Sequence, residues 1–367
     1  MEKGLVNPYL QAAPAHYLNE EGIMEKSGEY ISELGNRVLI SGGVKALKSV
    51  EEKLTSSLDS SGLAWEKHVF RGECSEKNVS LIIEKAEAFS ADVLVGVGGG
   101  KSLDCAKAAA EECGIPIVTI PTIAATCAAT TPVSIIYNEQ GEYERDYFLT
   151  TNPDLVLVDP EVIAKAPVKY LIAGIFDALS KWYEGRAAVK NIKNPDIFTA
   201  SAIKLAELLN NRMTEEALEA VELVKENKTG NALIDVIDLN IYLTGAIQSL
   251  GQKTCRNAAG HAIHNGLTIM KESHELLHGI KVGYGIIVQL LIEDLPEEEI
   301  REVVSFFREL GLEPSLKGLN LPYNREVIQA VAKKAVVDPV MQFMPFKVTE
   351  EMVISAIEKL EENIDNY

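Results

Sequence analysis

Positive charge is scarce in this chain. Against 54 Asp and Glu stand 35 Lys and Arg in 367 residues, a formal net charge of −19. The charges are interspersed, so there is no basic cluster of the kind that nucleic acid or an anionic membrane requires. Cysteine is sparse as well: Cys74, Cys105, Cys113, Cys127 and Cys255 are odd in number, scattered and never in a CxxC pair. That argues against a disulfide framework and against a structural zinc knuckle. No apolar run reaches the ~20 residues that span a bilayer, and the opening MEKGLVNPYL lacks a signal-peptide layout. The expectation is a cytoplasmic protein, with 47% hydrophobic residues and enough length for two domains.

Histidine is rare too, yet it is concentrated. Of six in the chain, His261, His264, His274 and His278 fall within eighteen positions. Clustered imidazole serves either to bind a divalent metal or to move protons. His261 and His264 are three apart and His274 and His278 four apart, so each pair can share one helical face. Any one of the four can equally be a core or capping histidine. A catalytic metal usually takes three protein ligands and leaves a position open, so two histidines need a third partner, most often a carboxylate. Asp177 is the candidate, on the otherwise apolar helical stretch 173–184, where an unpaired charge is expensive. Metal ligation accounts for it, and so does an ion pair with Lys181 one turn later.

The pattern of apolar residues divides the chain near residue 160. Before it, strand signals at 37–41, 63–70, 92–97, 115–120, 134–137 and 155–159 alternate with helical periods at 45–56, 75–90 and 102–113. That alternation predicts a doubly wound, parallel α/β sheet over 1–160. After it, 168–189, 195–211, 214–226, 232–250, 282–293, 297–310, 324–335 and 349–364 are helical in period, which predicts an all-α domain over 161–367. A cleft between two such domains is where a small-ligand site is expected.

Gly98-Gly99-Gly100-Lys101-Ser102 falls between a strand and a helix start. Glycines admit a close backbone approach, and exposed amides with the helix dipole suit a phosphate or pyrophosphate. The run matches neither GxGxxG nor the Walker pattern, for which Gly96 to Ser102 is one residue too short. A tight turn that needs positive φ is the alternative.

Several motifs stand in one order along the chain: Gly72-Glu73-Cys74-Ser75, Gly98-Gly99-Gly100-Lys101-Ser102-Leu103-Asp104, Pro121-Thr122-Ile123-Ala124, Gly174-Ile175-Phe176-Asp177-Ala178-Leu179, His261-Ala262-Ile263-His264-Asn265-Gly266-Leu267-Thr268 and His278-Gly279-Ile280-Lys281-Val282. Over essentially its whole length the sequence resembles the metal-containing alcohol dehydrogenases, the family that includes glycerol dehydrogenase and shares its architecture with 3-dehydroquinate synthase. The resemblance implies a dinucleotide-binding N-terminal domain, a helical C-terminal domain and one divalent metal between them, zinc or iron. It implies Asp177, His261 and His278 as metal ligands, and it puts Gly98, Gly99, Gly100, Lys101, Thr122, Thr131, Val133 and Tyr137 along an NAD or NADP cofactor. A Lewis-acid metal acidifies an alcohol and polarises the ketone in reverse, while nicotinamide exchanges the hydride. His264 and His274 are left for second-sphere, proton-relay or structural roles, and a homo-oligomer is the family's common form.

Departures from the glycerol pattern bear on the substrate. Cys127 stands where glycerol dehydrogenases have an Asp that contacts the polyol. Gly43 replaces the Asp placed to bond the adenosine ribose, which removes a charge that would repel a 2′-phosphate. Lys181 occupies the place of a fourth His ligand in the iron-dependent branch, and Arg256 lies five residues before His261. Two cations without an acid suit a carboxylate-bearing substrate. In this the sequence is similar to the hydroxycarboxylate dehydrogenase branch, so the favoured reaction is interconversion of a 2-hydroxy acid and its 2-oxo acid by a small-molecule oxidoreductase. Glycerol or another polyol is the alternative, and a dehydroquinate synthase-like lyase the remote one.

Overall fold

The computed structural model describes residues 11–252 and 254–367; the opening MEKGLVNPYL, and the signal-peptide reading with it, lies outside them. The β-branched runs of the first half form a six-stranded, all-parallel sheet in the order β1 (His16–Asn19), β8 (Leu155–Val158), β5 (Ile117–Pro121), β4 (Val93–Gly98), β2 (Arg37–Gly43), β3 (Ala64–Phe70). Short helices α1 (Ser27–Ile31) and α5 (Pro160–Ala164) flank the longer α2 (Val44–Ser60), α3 (Glu76–Phe89) and α4 (Gly100–Cys113).

Alternation along the strands sends side chains to two separate cores. Val38, Ile40, Val93, Val95, Val118 and Ile120 pack with Leu47, Val50, Leu54 and Leu58 of α2. Leu39, Leu94 and Ile117 face the other way, onto Val79 and Ile82 of α3 and Ala106, Ala109 and Ala110 of α4. Burial on both faces is why these strands read as continuous apolar runs. Each fully buried aliphatic side chain contributes roughly 1.5–3 kcal/mol.

Two strands carry no such signal. β1 is a short, partly exposed edge strand, and β7 (Tyr143–Phe148) is largely exposed and charged. β7 pairs antiparallel with β6 (Val133–Tyr137), so the strand expected at 134–137 sits in a two-stranded sheet of its own.

Beyond β8 the chain is helical: α6 (Lys169–Val189), α7 (Ile197–Lys225), α8 (Asn231–Asp238), α9 (Thr244–Gly251), α10 (Ala259–Leu267), α11 (His278–Ile292), α12 (Glu297–Glu309), α13 (Arg325–Val336) and α14 (Glu350–Asn363). The helices expected at 195–211 and 214–226 are one: the helix runs through the polar interval, and the Thr214 hydroxyl there is satisfied by the carbonyls of Asn210 and Asn211.

As the sequence reads, the long apolar stretches among the described residues are interrupted by polar ones, Asp235 and Asp238 in the longest helix of this kind. With the π turn Leu239–Leu243, α8 and α9 form a continuous helix, Asn231–Gly251, that by length and composition is apolar enough to cross a membrane. In the structure it is pinned to the sheet-bearing part of the chain. Asp238 accepts from Tyr17 Oη at 2.7 Å and from Asn19 Nδ2 at 2.8 Å, Asn240 Nδ2 donates to Ala124 O at 2.9 Å, and Thr130 Oγ1 donates to Ile241 O at 2.7 Å.

Two compact units follow. One comprises Met1–Val168 with Glu222–Ser249, the other Lys169–Val221 with Leu250–Tyr367. The sequence texture changes near 160. The first unit nevertheless runs on to Val168 and takes back 222–249, the segment that makes the hydrogen bonds just described.

Within the first unit, Lys107 of α4 is completely buried, and its Nζ donates to Thr131 O at 3.0 Å and Val133 O at 2.6 Å and pairs with Asp104 at 3.0 Å. Asp104 Oδ2 accepts from Ile135 N at 3.2 Å. Burial pushes the Asp104 carboxyl up, and the Lys107 ammonium beside it opposes that. Lys107→Met strands this carboxylate in the core and is expected to cost roughly 3–5 kcal/mol. A lowered urea midpoint, partly recovered when Asp104→Asn is added, is the expected result; an unchanged midpoint would show that the pair does not hold the 131–135 segment.

Candidate metal centre and cofactor cradle

In the second unit, helices α6, α10 and α11 meet backbone to backbone. A Cβ at Gly279 would stand 1.7 Å from Ala173 O, and one at Gly285 would stand 2.2 Å from Gly260 O. This close approach brings together Asp177 from α6, His261 from α10 and His278, the first residue of α11. His278 Nε2 lies 3.4 Å and His261 Nε2 3.8 Å from Asp177 Oδ1, and one ligand atom from each residue lies within 4.8 Å of the others. Asp177 and His261 are buried, whereas the His278 side chain is 42% exposed. Burial alone would raise the Asp177 carboxyl, but His278 beside it, and then the nearby Lys181 and His261, hold it well below the usual carboxylate range. Three donors of this chemistry, converging with one side open to solvent, fit a single divalent cation with a position to spare.

Neighbouring residues fix both rings. Glu184, two turns after Asp177 on α6, is 1% exposed and takes three hydrogen bonds: from Ala258 N at 2.6 Å, from His261 N at 2.9 Å, and from His261 Nδ1 at 2.6 Å. It therefore satisfies two amides at the start of α10 and turns His261 Nε2 toward Asp177. Burial would raise Glu184, and the adjoining His261 outweighs it and lowers the carboxyl. His264 is buried with its Nε2 3.1 Å from His278 Nδ1 and its Nδ1 2.8 Å from Asn265 Oδ1; burial first, then the neighbouring His278 and Lys281, pushes its pKa well down. Asn265 in turn donates to Asp338 Oδ2 at 2.8 Å. Glu184, Asn265 and Asp338 carry no role in the sequence reading. The i, i+7 spacing from Asp177 to Glu184 was the one available signal.

Lys181 makes no ion pair with Asp177 among the described contacts. Its buried ammonium donates to Arg256 O at 2.9 Å and to Asn257 Oδ1 at 3.3 Å, bracing the turn before α10, and acts on Asp177 through its charge alone. Arg256 is half-buried in that turn. His274 does not share a helical face with His278, contrary to the spacing expectation. It lies on the short 3-10 turn Lys271–Glu275, exposed and 3.1 Å from Thr268 O, and extended residues at 276–277 separate the two.

The glycine run lies in the first unit. β4 ends at Gly98, whose φ of 144° suits glycine alone, Gly99 caps α4, and α4 begins at Gly100. Thr122 N donates to Gly98 O at 3.2 Å, and Thr126 and Ala128 lie over Gly100. Lys101 is half exposed and bonded to Glu73 at 2.6 Å. Thr131 and Val133 are tied to α4 by Lys107, and Tyr137 N donates to Cys74 O at 2.8 Å, beside Glu73. The cradle and its expected neighbours are thus gathered around the N-terminal half of α4. Cys127 is buried in the same loop system, 3.7 Å from Gln248 Oε1.

With this geometry established, comparison with known proteins decides the family. The family model for iron-containing alcohol dehydrogenases matches residues 14–160. A glycerol dehydrogenase of Escherichia coli O6:H1 is 36% identical over 312 residues, covering 84% of this chain and 84% of the relative. This chain belongs to the iron-containing alcohol dehydrogenase family. As a member of it, the chain is an oxidoreductase acting on CH–OH groups, in a family that works with NAD(P) and a metal ion. A probable glycerol dehydrogenase from Sinorhizobium meliloti 1021 has the same fold, with a TM-score of 0.85 at 31% identity over 96% of this chain and 98% of that one. Hydroxycarboxylate dehydrogenase A of Escherichia coli K12 is 33% identical over 355 residues, covering 95% and 96%. Among iron-containing alcohol dehydrogenases, then, the glycerol dehydrogenase is the more identical of these two relatives, at 36% against 33%.

Glu184→Gln tests the support of the metal centre in this family member. A Gln oxygen still serves the two α10 amides, but the amide nitrogen then opposes His261 Nδ1–H. Metal affinity is expected to fall roughly 10- to 100-fold, measured by competition with a chromophoric chelator; unchanged affinity would assign Glu184 to capping only.

Proposed function

We propose that this enzyme is a metal-dependent NAD(P) dehydrogenase that interconverts a small polyol and its ketone or aldehyde, with glycerol and dihydroxyacetone as the type pair. The observation that carries the choice of substrate is the placement of Lys181. With the residue 3% exposed and its ammonium bonded to Arg256 O and Asn257 Oδ1, it is not offered to a substrate carboxylate. The acid substrate favoured by the sequence loses one of its two cations. The extent of similarity to glycerol dehydrogenases supports the same choice.

In this reading Asp177, His261 and His278 hold the ion, and two imidazoles with one carboxylate suit Zn(II) and Fe(II). Bound there, the ion supplies Lewis acidity to the substrate oxygen. Gly98, Gly99, Gly100 and Lys101 would hold a dinucleotide's pyrophosphate, and Thr122, Thr131, Val133 and Tyr137 would contact the rest of it; its nicotinamide would supply the hydride chemistry. Lys101, bonded to Glu73 here, would offer its ammonium to a phosphate oxygen. The absence of an acid at Gly43 admits NADP beside NAD. Glu184 orients His261, and His264 orients His278, so neither ring swings away from Asp177. Cys127 presents a thiol where a carboxylate would bond polyol hydroxyls, and this favours substrates with fewer hydroxyls.

A second reading, reduction of a 2-oxo acid, rests on Arg256 in the turn before His261 and on the similarity to hydroxycarboxylate dehydrogenase A. Oxidation of NADH and NADPH by metal-analysed protein, with dihydroxyacetone and 2-oxobutyrate in parallel, separates the two. Faster turnover of dihydroxyacetone is the expected result. Preference for 2-oxobutyrate, lost selectively in Arg256→Ala, would overturn it in favour of the acid. Asp177→Ala and His278→Ala should each abolish turnover and metal retention without unfolding the chain, and activity surviving either change removes that residue from the ligand set.

A further inference from the structure

The hydrogen bonds around His278 have a direction, and it is set far along the chain, in the turn after α13, where Asp338 lies. Its Oδ1 accepts from Val340 N at 3.0 Å and its Oδ2 from Asn265 Nδ2 at 2.8 Å. A carboxylate only accepts. Asn265 must therefore give its amide nitrogen to Asp338 and keep its oxygen for His264 Nδ1, 2.8 Å away. An amide oxygen also only accepts, so His264 Nδ1 carries the hydrogen, and the neutral ring has its lone pair at Nε2. That lone pair faces His278 Nδ1 at 3.1 Å, which makes His278 Nδ1 the donor. His278 is then left with a bare Nε2, the nitrogen 3.4 Å from Asp177. Every polarity in the chain follows from the one group that has no choice.

We propose that Asp338 and Asn265 are positioning residues that determine, through His264, which nitrogen of His278 is presented to the metal. The proposal rests on the reading of Asp177, His261 and His278 as metal ligands. His261 has its tautomer set directly by Glu184, whereas His278 takes its own from a relay of three side chains that ends beyond α13. The two ligands reach the same state by separate routes.

The relay makes an unusual demand of mutants, because each end can be reversed. In Asp338→Asn, an amide that keeps its oxygen on Val340 N offers a nitrogen to Asn265, which must flip and present its own nitrogen to His264, reversing every later bond. In Asn265→Asp, two carboxylates oppose each other. Combining the two changes restores the direction: the amide introduced at position 338 donates to the carboxylate introduced at position 265, which accepts from His264 Nδ1 as before.

Zinc affinity of the full chain, measured by chelator competition, is expected to fall roughly 10- to 100-fold in Asp338→Asn and to recover most of that loss in the Asp338→Asn/Asn265→Asp protein. A purely structural role would make the double variant at least as poor as the single ones. Zinc affinity unchanged in Asp338→Asn, or a double variant no better than the single, would overturn the proposal. Imidazole nitrogen spectra of the 15N-histidine, zinc-loaded parent give a test that needs no variant. They should show zinc on His278 Nε2 and protons on Nδ1 of both His278 and His264; a proton on His264 Nε2, or zinc on His278 Nδ1, would overturn the relay. Zinc binding undiminished in His278→Ala would instead overturn the metal reading on which the relay stands.

Discussion

The candidate metal centre depends first on how closely α6, α10 and α11 approach one another. Where Gly279 meets the Ala173 carbonyl and Gly285 meets that of Gly260, there is no room for a single carbon atom. Helices with side chains at the contact lie about 8–10 Å apart. Contact without side chains brings the axes closer, and three short side chains from three helices then converge. Asp177 has only one carbon between backbone and carboxylate, so it could not reach the histidines across an ordinary helix interface. The glycines are as much a part of the site as the residues with donor atoms.

That closeness also explains the density of buried polar groups on one face of α6. Asp177, Lys181 and Glu184 recur at i, i+4 and i+7, all largely out of water. Each is satisfied by something from α10, the turn before it or α11: the pair His261 and His278, the carbonyl of Arg256, or the amides that open α10. Buried charges of this kind are costly unless paired. The opposite face of α6, with Phe176, Leu179 and Tyr183, lines instead a cavity of about 470 Å³ that shares none of the site residues. One helix thus separates a polar, ligating side from an aromatic one.

Much of this was legible in the sequence, and what was not has a physical reason. Strands β2, β4, β5 and β8 were legible because a sheet covered on both faces leaves an unbroken apolar run. β1 and β7 were not, since one is a four-residue edge and the other solvent-facing. Asp177 and the cluster of four histidines stood out as a carboxylate and imidazoles where composition predicted neither, and the family resemblance picked His261 and His278 from the cluster. The partners that aim them did not stand out. Glu184 meets His261 across 77 residues of chain, and Asp338 meets Asn265 across 73, and no local period encodes such a pairing. Lys181 was read as a substrate contact because its charge is visible in the sequence; its commitment to a main-chain carbonyl is a tertiary fact. The glycine cradle was the easier half: strand, tight turn and helix start are adjacent in the chain, so their geometry is local.

The return of residues 222–249 to the first unit bears on how this protein is made. The chain crosses between its units after Val168, after Val221 and after Ser249. Synthesis from the N-terminus would normally let the leading domain fold as soon as it emerges. Here the leading unit is incomplete until residue 249 has appeared, and Tyr17, Asn19 and Thr130 wait for Asp238 and Ile241. By then α6 and the rest of the second unit's leading segment, up to Val221, have already emerged, while α10 and α11 have not. The nascent chain must hold an unfinished sheet while helices destined for another unit are added behind it, so the boundaries of any viable fragment are set by this interleaving.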